Sequence, residues 1–493
     1  MQRKGLVAGI IAALLMTGCT QDAGAGEKTK KEEENVEMLQ LTIDASQKYQ
    51  QLESFGASGA WWAQDVGGWE EKECQTEQSK RDKIAELLFD PQQGIGLSSY
   101  RYNLGAGSAD TSNSPAITDP WRRGQSFEKA PGVYDWEKDQ NARYMLEKAV
   151  SYGVDDIYLF SNSPLERLTK NGRAYGSQGA EDLSNLAPEN YEAFCNYLFD
   201  VTEHFLGQGI PVKYLSPINE PQWDWTGGQE GCHYSPEEVV AFAKAAYAAK
   251  QQRSQLQDVK LSVPELGEWQ NTSLDYYEAM TADKDFMAQY PVWDIHSYWS
   301  DKFSKNQMAD WLKAQESPIK VKMSEWTEMV NGKDLTMDSA YNLADQIMQD
   351  LTILNVSDWQ YWIAVSCYDY RDGLIYVDTE SHEIQPSKRF WAMGNFSKFI
   401  RPGAVRIQSD IEKGLVETVA FENAGKSGDT VLVALNKGFS EERLQVPSGY
   451  RLKAAYVTSD TQDLESAAEA GKQAVGLPKK AVATLVLEKA AEQ

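Results

Sequence analysis

From Leu52 to Phe399 this 493-residue chain alternates short apolar, β-rich runs with amphipathic helical stretches, eight times over. The runs are Leu52–Ser58, Leu97–Leu104, Asp156–Ser161, Val212–Pro217, Lys260–Pro264, Val292–Tyr298, Ile319–Ser324 and Trp359–Val365. Short apolar runs between polar turns read as buried strands, and the longer stretches of period 3.6 between them read as crossover helices. Lys80–Leu88, Glu137–Tyr152, Pro188–Phe205 and Met337–Leu354 carry that helical pattern. Gly153 closes the second of these, and Ser235-Pro236-Glu237-Glu238 opens another with a capping serine, a first-turn proline and a glutamate three residues on. Such alternation predicts an α/β chain folded as a TIM (β/α)8 barrel over residues 51–400 rather than an open sheet.

After Pro402 the texture changes. Ala404–Gln408, Leu415–Phe421, Thr430–Leu435, Arg443–Val446, Arg451–Val457 and Ala481–Leu487 read as strands separated by Gly, Asn, Asp and Ser, which predicts a β-sandwich over 401–493. Met38–Ile43 alternates like a strand, so residues 38–50 are expected to join that sandwich. No long internal repeat is present.

The N-terminus reads as an export signal over 1–19. Arg3 and Lys4 precede an apolar segment, Leu6–Met16, too short to span a bilayer, and small residues lead to Cys19. Leu15-Met16-Thr17-Gly18-Cys19 resembles the bacterial lipobox, in which the cysteine is lipidated; the alternative is an ordinary signal peptide with a chance cysteine. Residues 20–37 are rich in Gly, Lys and Glu and read as a flexible tether. The expected localisation is therefore exported and lipid-anchored to the bacterial cell surface or membrane. A net charge of −25 disfavours nucleic acid or an anionic membrane surface as partner. Cys74, Cys195, Cys232 and Cys367 are irregularly spaced, so no disulfide pairing is assigned. With four histidines scattered at 204, 233, 296 and 382, neither a metal site nor any other cofactor is expected, and the chain is expected to be a monomer.

Two glutamates stand out against 73 acidic residues, most of which must be surface groups. Glu220, in Ser216-Pro217-Ile218-Asn219-Glu220-Pro221, and Glu325, in Lys322-Met323-Ser324-Glu325-Trp326, each follow a predicted strand, the fourth and the seventh. In TIM barrels working residues gather where strands end, so both are expected in one mouth. Hydrolysis of a glycosidic bond needs such a pair: one carboxylic acid to protonate the leaving oxygen, and a second carboxylate beneath the sugar ring.

The chain resembles glycoside hydrolase family 30 through stretches that span nearly the whole barrel. They are Phe55-Gly56-Ala57-Ser58-Gly59-Ala60-Trp61-Trp62, Tyr100-Arg101-Tyr102-Asn103, Phe160-Ser161-Asn162-Ser163-Pro164, Asn219-Glu220-Pro221-Gln222-Trp223-Asp224-Trp225, Asp294-Ile295-His296-Ser297-Tyr298-Trp299 and Ser324-Glu325-Trp326. The resemblance implies a retaining enzyme with Glu220 as acid/base and Glu325 as nucleophile. Asn219 is then expected to bind the sugar 2-hydroxyl, Tyr298 and Arg101 to hold Glu325 and keep it ionised, and Asn162 and His296 to support the bound sugar. Trp62, Trp223, Trp225 and Trp362 are expected sugar-stacking walls, although any of them could instead be core. Leu165-Glu166-Arg167 departs from the aromatic-rich continuation of many relatives, and a change in the neighbouring subsite is expected there.

The Asn219–Trp225 stretch with Gln229-Glu230-Gly231-Cys232, and the paired Trp61-Trp62, most resemble the endo-β-1,6-galactanase branch. A neutral β-linked polysaccharide is thus the expected substrate. The alternatives are a β-xylanase or β-1,6-glucanase of the same family, or a non-catalytic surface lipoprotein that binds glycans.

Overall fold

The computed structural model describes residues 38–72, 77–177, 183–425 and 428–490. The export segment, the tether, Cys19 and Cys74 lie outside the described residues. The three described cysteines, Cys195, Cys232 and Cys367, are free thiols.

Eight parallel strands close a TIM barrel. The first four are Ser54–Ser58, Ser99–Asn103, Asp156–Phe160 and Val212–Ser216. The fifth comes in two pieces, Lys260–Leu261 and Pro264–Leu266. The last three are Val292–Ile295, Lys320–Trp326 and Asp358–Tyr361. The first piece of the fifth strand pairs with the fourth strand and the second piece with the sixth, so the ring closes through the break. The expected run Lys260–Pro264 ends too early, because the chain breaks at Ser262-Val263 and resumes as strand for three more residues.

Each strand is followed by helix. The crossovers are Lys80–Phe89, Gln140–Ser151, Tyr191–Gly207, Pro236–Lys250, Leu274–Ala282 with Lys284–Gln289, Lys302–Lys313, Met337–Gln349 and Lys388–Ser397. The helix that opens at Pro236 carries a full capping box, with the Ser235 hydroxyl and the Glu238 carboxylate each satisfying the other's backbone N–H. Apolar side chains that line the strands and inner helix faces, among them Ile157, Leu159, Leu215, Ile295 and Met323, form one continuous core.

The C-terminal sandwich packs on this core. Its strand Thr430–Asn436 is buried throughout and splits by period two. Val431, Val433 and Leu435 join the barrel's apolar cluster, while Leu432 and Ala434 join a second cluster between the sandwich layers. The N-terminal strand Met38–Gln51 ties the layers together, antiparallel to Val405–Ile411 and, at its start, parallel to Glu442–Gln445. Two short strands, Glu465–Ala468 and Ala474–Leu477, add edges that the apolar pattern did not mark.

Candidate active site

The fold brings Glu220 and Glu325 to one end of the barrel, but not both at strand ends. Glu325 lies inside the seventh strand, and Glu220 lies four residues past the end of the fourth in a loop. The Glu220 backbone turns left-handed, φ 44°, and its N–H is caught by the carbonyl of Glu265 at 2.8 Å. Arg101 sits in the middle of the second strand rather than at its end, and its length carries the guanidinium to the mouth.

Both glutamates are buried. Arg101 Nη1 donates to Glu325 Oε2 at 2.6 Å and the Tyr298 hydroxyl donates to Oε1 at 2.9 Å. The guanidinium also reaches Asn219 Oδ1 and Glu265 Oε2, both at 3.2 Å, which orients the Asn219 amide. His296 is fully buried among three carboxylates: Nε2 lies 3.0 Å from Glu265 Oε2, and Nδ1 lies 3.3 Å from Glu220 Oε1 and 3.6 Å from Glu325 Oε1. Burial opposes the imidazolium, yet the surrounding carboxylates outweigh it and push His296 up to about 10. Burial raises the Glu325 carboxyl, against the pull of His296 and Arg101. Glu265 is held down at about 2: burial works against its charge, but Arg101, His296 and Ser324 prevail.

One oxygen of Glu220, one of Glu325 and Nδ1 of His296 lie within 4.8 Å of one another. A metal could use that spacing, and the same three groups, with the imidazolium favoured by its carboxylate neighbours, are also placed to handle protons. The cluster contains two cations and three carboxyl groups. It is neutral when one carboxyl keeps its proton, the state a general acid needs.

Beside the two carboxyl groups opens a cleft of about 280 Å³, walled by Trp223, Trp225, Trp299, Trp362 and Met329. Trp223 meets Trp299 edge-on at 5.8 Å, and Trp299 is 57% exposed. Trp362 directly follows the eighth strand, which ends at Tyr361, four residues before the end of the expected run at Val365. Trp62 does not belong here. It is fully buried and donates its indole N–H to the Ser58 carbonyl at 2.8 Å, so it is core, while its neighbour Trp61 packs edge-on against Trp362 at 5.1 Å. Asn162 is buried after the third strand; its amide donates to Asn103 Oδ1 at 3.1 Å, and its own Oδ1 has no protein partner among the described residues.

The expected subsite change at Leu165-Glu166-Arg167 takes a different form. Glu166 is buried and accepts from the Thr111 and Ser114 hydroxyls, and Arg167 forks onto Glu128 at 2.5 and 2.7 Å. These charges are consumed in fastening loops and do not line the cleft. Glu265 was not marked by the sequence reading. Its signal was there, a glutamate at the end of an apolar run in the manner of Glu325, hidden by a strand taken to stop at Pro264. Trp299 stood inside a recognised motif but was not singled out, although it forms a wall of the cleft.

Residues 38–291 and 323–376 match the model of O-glycosyl hydrolase family 30, and residues 403–485 match the family 30 beta sandwich domain. An endo-beta-1,6-galactanase from Hypocrea rufa is 24% identical over 432 residues, covering 81% of this chain and 82% of that protein. Among solved structures, a conserved exported protein from Bacteroides fragilis superposes with a TM-score of 0.80 at 24% identity, over 91% of this chain and all of that one. The catalytic domain of the family 30 xylanase C from Talaromyces cellulolyticus superposes with a TM-score of 0.70 at 21% identity, again over 91% of this chain and all of that one.

Proposed function

The chain belongs to glycoside hydrolase family 30, and from that premise we propose that it is a retaining endo-β-1,6-galactanase, with Glu325 as nucleophile and Glu220 as acid/base. The glycosidase activity follows from the family; the mechanism and the substrate are the proposal. The observation that supports the mechanism is that both carboxyl groups meet one imidazole nitrogen and an oxygen of each lies within 4.8 Å of the other, a nearest-atom approach that suits the closer of the two carboxyl spacings. Retaining pairs stand about 5–5.5 Å apart and inverting pairs roughly 6.5–9.5 Å, the extra space admitting a water.

Arg101 and Tyr298 hold the Glu325 carboxylate for attack on the anomeric carbon. As the bond to the leaving oxygen breaks, Glu220 delivers its proton there. The glycosyl ester on Glu325 is then cleaved by water, from which Glu220 takes a proton, restoring both groups. Asn219, its carbonyl oxygen engaged by Arg101, presents its amide N–H to the sugar 2-hydroxyl.

The walls of the cleft favour a neutral polysaccharide. Beyond the reacting pair, the residues around it are aromatic, amide or thioether side chains with no charge, and flat rings suit the apolar faces of sugars. The 1,6 linkage rests on likeness to the Hypocrea rufa galactanase. Purified protein incubated with de-arabinosylated arabinogalactan is expected to release reducing ends, with the β-anomer appearing first by NMR. Cleavage of glucuronoxylan alone overturns the substrate, first release of the α-anomer overturns the mechanism, and binding without any cleavage turns the reading to a glycan-binding lipoprotein.

The Cys19 lipobox supports tethering of this enzyme outside the cytoplasmic membrane. Membrane fractionation of Cys19→Ala is expected to show release or failed processing, and an unchanged distribution refutes the anchor.

A further inference from the structure

Glu265 does not line the cleft, yet its backbone carbonyl accepts from the Glu220 N–H and its carboxylate accepts four hydrogen bonds, two of them from Arg101 and His296 beside the reacting pair. Oε2 accepts from Arg101 at 3.2 Å, from His296 Nε2 at 3.0 Å and from the Ser324 hydroxyl at 2.5 Å, while Oε1 accepts from the Ser262 hydroxyl at 2.8 Å. It thus joins the second, fifth, sixth and seventh strands at one carboxylate. The bond at Nε2 fixes the imidazole ring so that Nδ1 faces Glu220 and Glu325 at nearly equal distances, 3.3 and 3.6 Å.

We propose that Glu265 is a positioning residue that keeps His296 protonated at the midpoint between the two reacting carboxyl groups, so that one fixed cation stabilises whichever of them bears the charge. The proposal rests on the roles given above to Glu220 and Glu325. In the productive state the proposed roles make Glu325 the carboxylate, held by Arg101 and Tyr298 against the rise that burial imposes, and Glu220 the proton donor. Bond formation from Glu325 to the anomeric carbon removes charge from Glu325, and transfer of the Glu220 proton to the leaving oxygen creates charge on Glu220. The sum over Arg101, His296, Glu265, Glu220 and Glu325 stays at zero throughout; one negative charge moves from one side of Nδ1 to the other. Water cleavage of the ester moves it back. A cation already aligned with both positions needs no reorganisation as the charge moves, which is how preorganised dipoles and charges lower barriers.

The groups facing His296 from the elements packed against it are Glu220 after the fourth strand, Glu265 on the fifth, Tyr298 on its own segment and Glu325 on the seventh, with Arg101 reaching in from the second. Beyond Glu265 lies Asp294, which burial pushes up to about 8. Carboxylates surround the ring, and the Arg101 guanidinium is shared between two of them. The balance around the ring therefore favours the imidazolium.

The chain has four histidines, so a single His296→Gln reference spectrum identifies the ring signals of His296. In full-length protein labelled with 15N-histidine, His296 is expected to remain doubly protonated at pH 8, where an ordinary imidazole has lost its proton. A neutral His296 ring at pH 7 overturns the proposal. In Glu265→Gln, the ring is expected to become neutral by pH 8 and kcat/KM on an aryl β-glycoside to fall about 100-fold, the scale of removing one preorganised stabiliser. Thermal melting and circular dichroism are expected to stay native-like, and Glu265→Asp is expected to recover part of the rate. A folded Glu265→Gln with unchanged rate and pH profile overturns the proposal. If Glu265→Gln does not fold, the wild-type titration decides alone. Failure of the underlying roles is a separate result: Glu325→Gln would still turn over, whatever His296 does.

Discussion

At the scale of single residues, the two reacting glutamates separate by what each does to a good leaving group. Glu325→Gln is expected to lose turnover by at least about 10⁴-fold on every substrate, since no other group can form the ester. Glu220→Gln is expected to keep the first step on aryl glycosides that need no proton, and to lose it on polysaccharide. Equal loss in both variants on an aryl glycoside contradicts the assignment. The charges beneath them also set a pH window for stability. His296 holds its proton to about 10, against 6.5 in an unfolded chain, so its contribution is complete below pH 6.5 and fades as pH rises toward 10. Glu265 runs the other way: it titrates near 2 against 4.5, so its contribution is complete above pH 4.5 and fades toward 2. Urea unfolding across pH is expected to show stability from this pair greatest between about 4.5 and 6.5, with the alkaline decline absent in His296→Gln. Glu220 and Glu325 were readable from sequence because each closely follows a short apolar run and stands in a recognisable motif. Glu265 was not, because its run is interrupted, and Trp62 was misplaced because sequence puts it just past the first strand but does not say that the turn there folds its ring back into the core.

At the scale of elements, the loops above the barrel are fastened by buried carboxylates. Glu230 accepts from the backbone N–H groups of Ala106, Ser108 and Gly124 and from the Ser108 hydroxyl, which straps the loop carrying Trp223 and Trp225 to the loop after the second strand. Gly124 fits because a Cβ there would stand 2.5 Å from the Cα of Gly105. Glu230→Gln replaces a receptor for several donors by an amide that itself donates. It is expected to cost about 2 kcal/mol, the range for leaving buried donors unpaired, and to raise KM for polysaccharide more than it lowers kcat. Denaturant titration and steady-state kinetics check both; an unchanged KM removes the strap from the substrate path. The sequence showed Glu230 only as part of a motif, since its partners lie more than 100 positions away. The helices were legible because caps and periodicity are local. Glu465–Ala468 and Ala474–Leu477 were not, being short and poor in β-branched residues.

At the scale of the whole molecule, barrel and sandwich share apolar contacts and cannot be separated without exposing them. Val431, Val433 and Leu435 fill the barrel side of a sandwich strand, and Asn395 on the last crossover helix exchanges hydrogen bonds with Thr458 and Thr484. Truncation after residue 402 is expected to give aggregated protein, whereas full-length protein is expected to melt in one cooperative transition. Two resolved calorimetric transitions, or a soluble active barrel, would show the halves to be independent.

A cylinder closed by hydrogen bonds is only as stiff as its weakest rung. Here the fifth strand is such a rung, since it alone among the eight is broken in two and each piece holds its neighbour through two residue pairs, as few as join the seventh strand to the eighth. Thermal breathing of the hoop therefore concentrates at that seam, where local opening costs least. Glu265 is part of the same rung. The first loosening of the wall also lets go of Arg101 and His296, so on warming this molecule is built to fall silent while it is still folded.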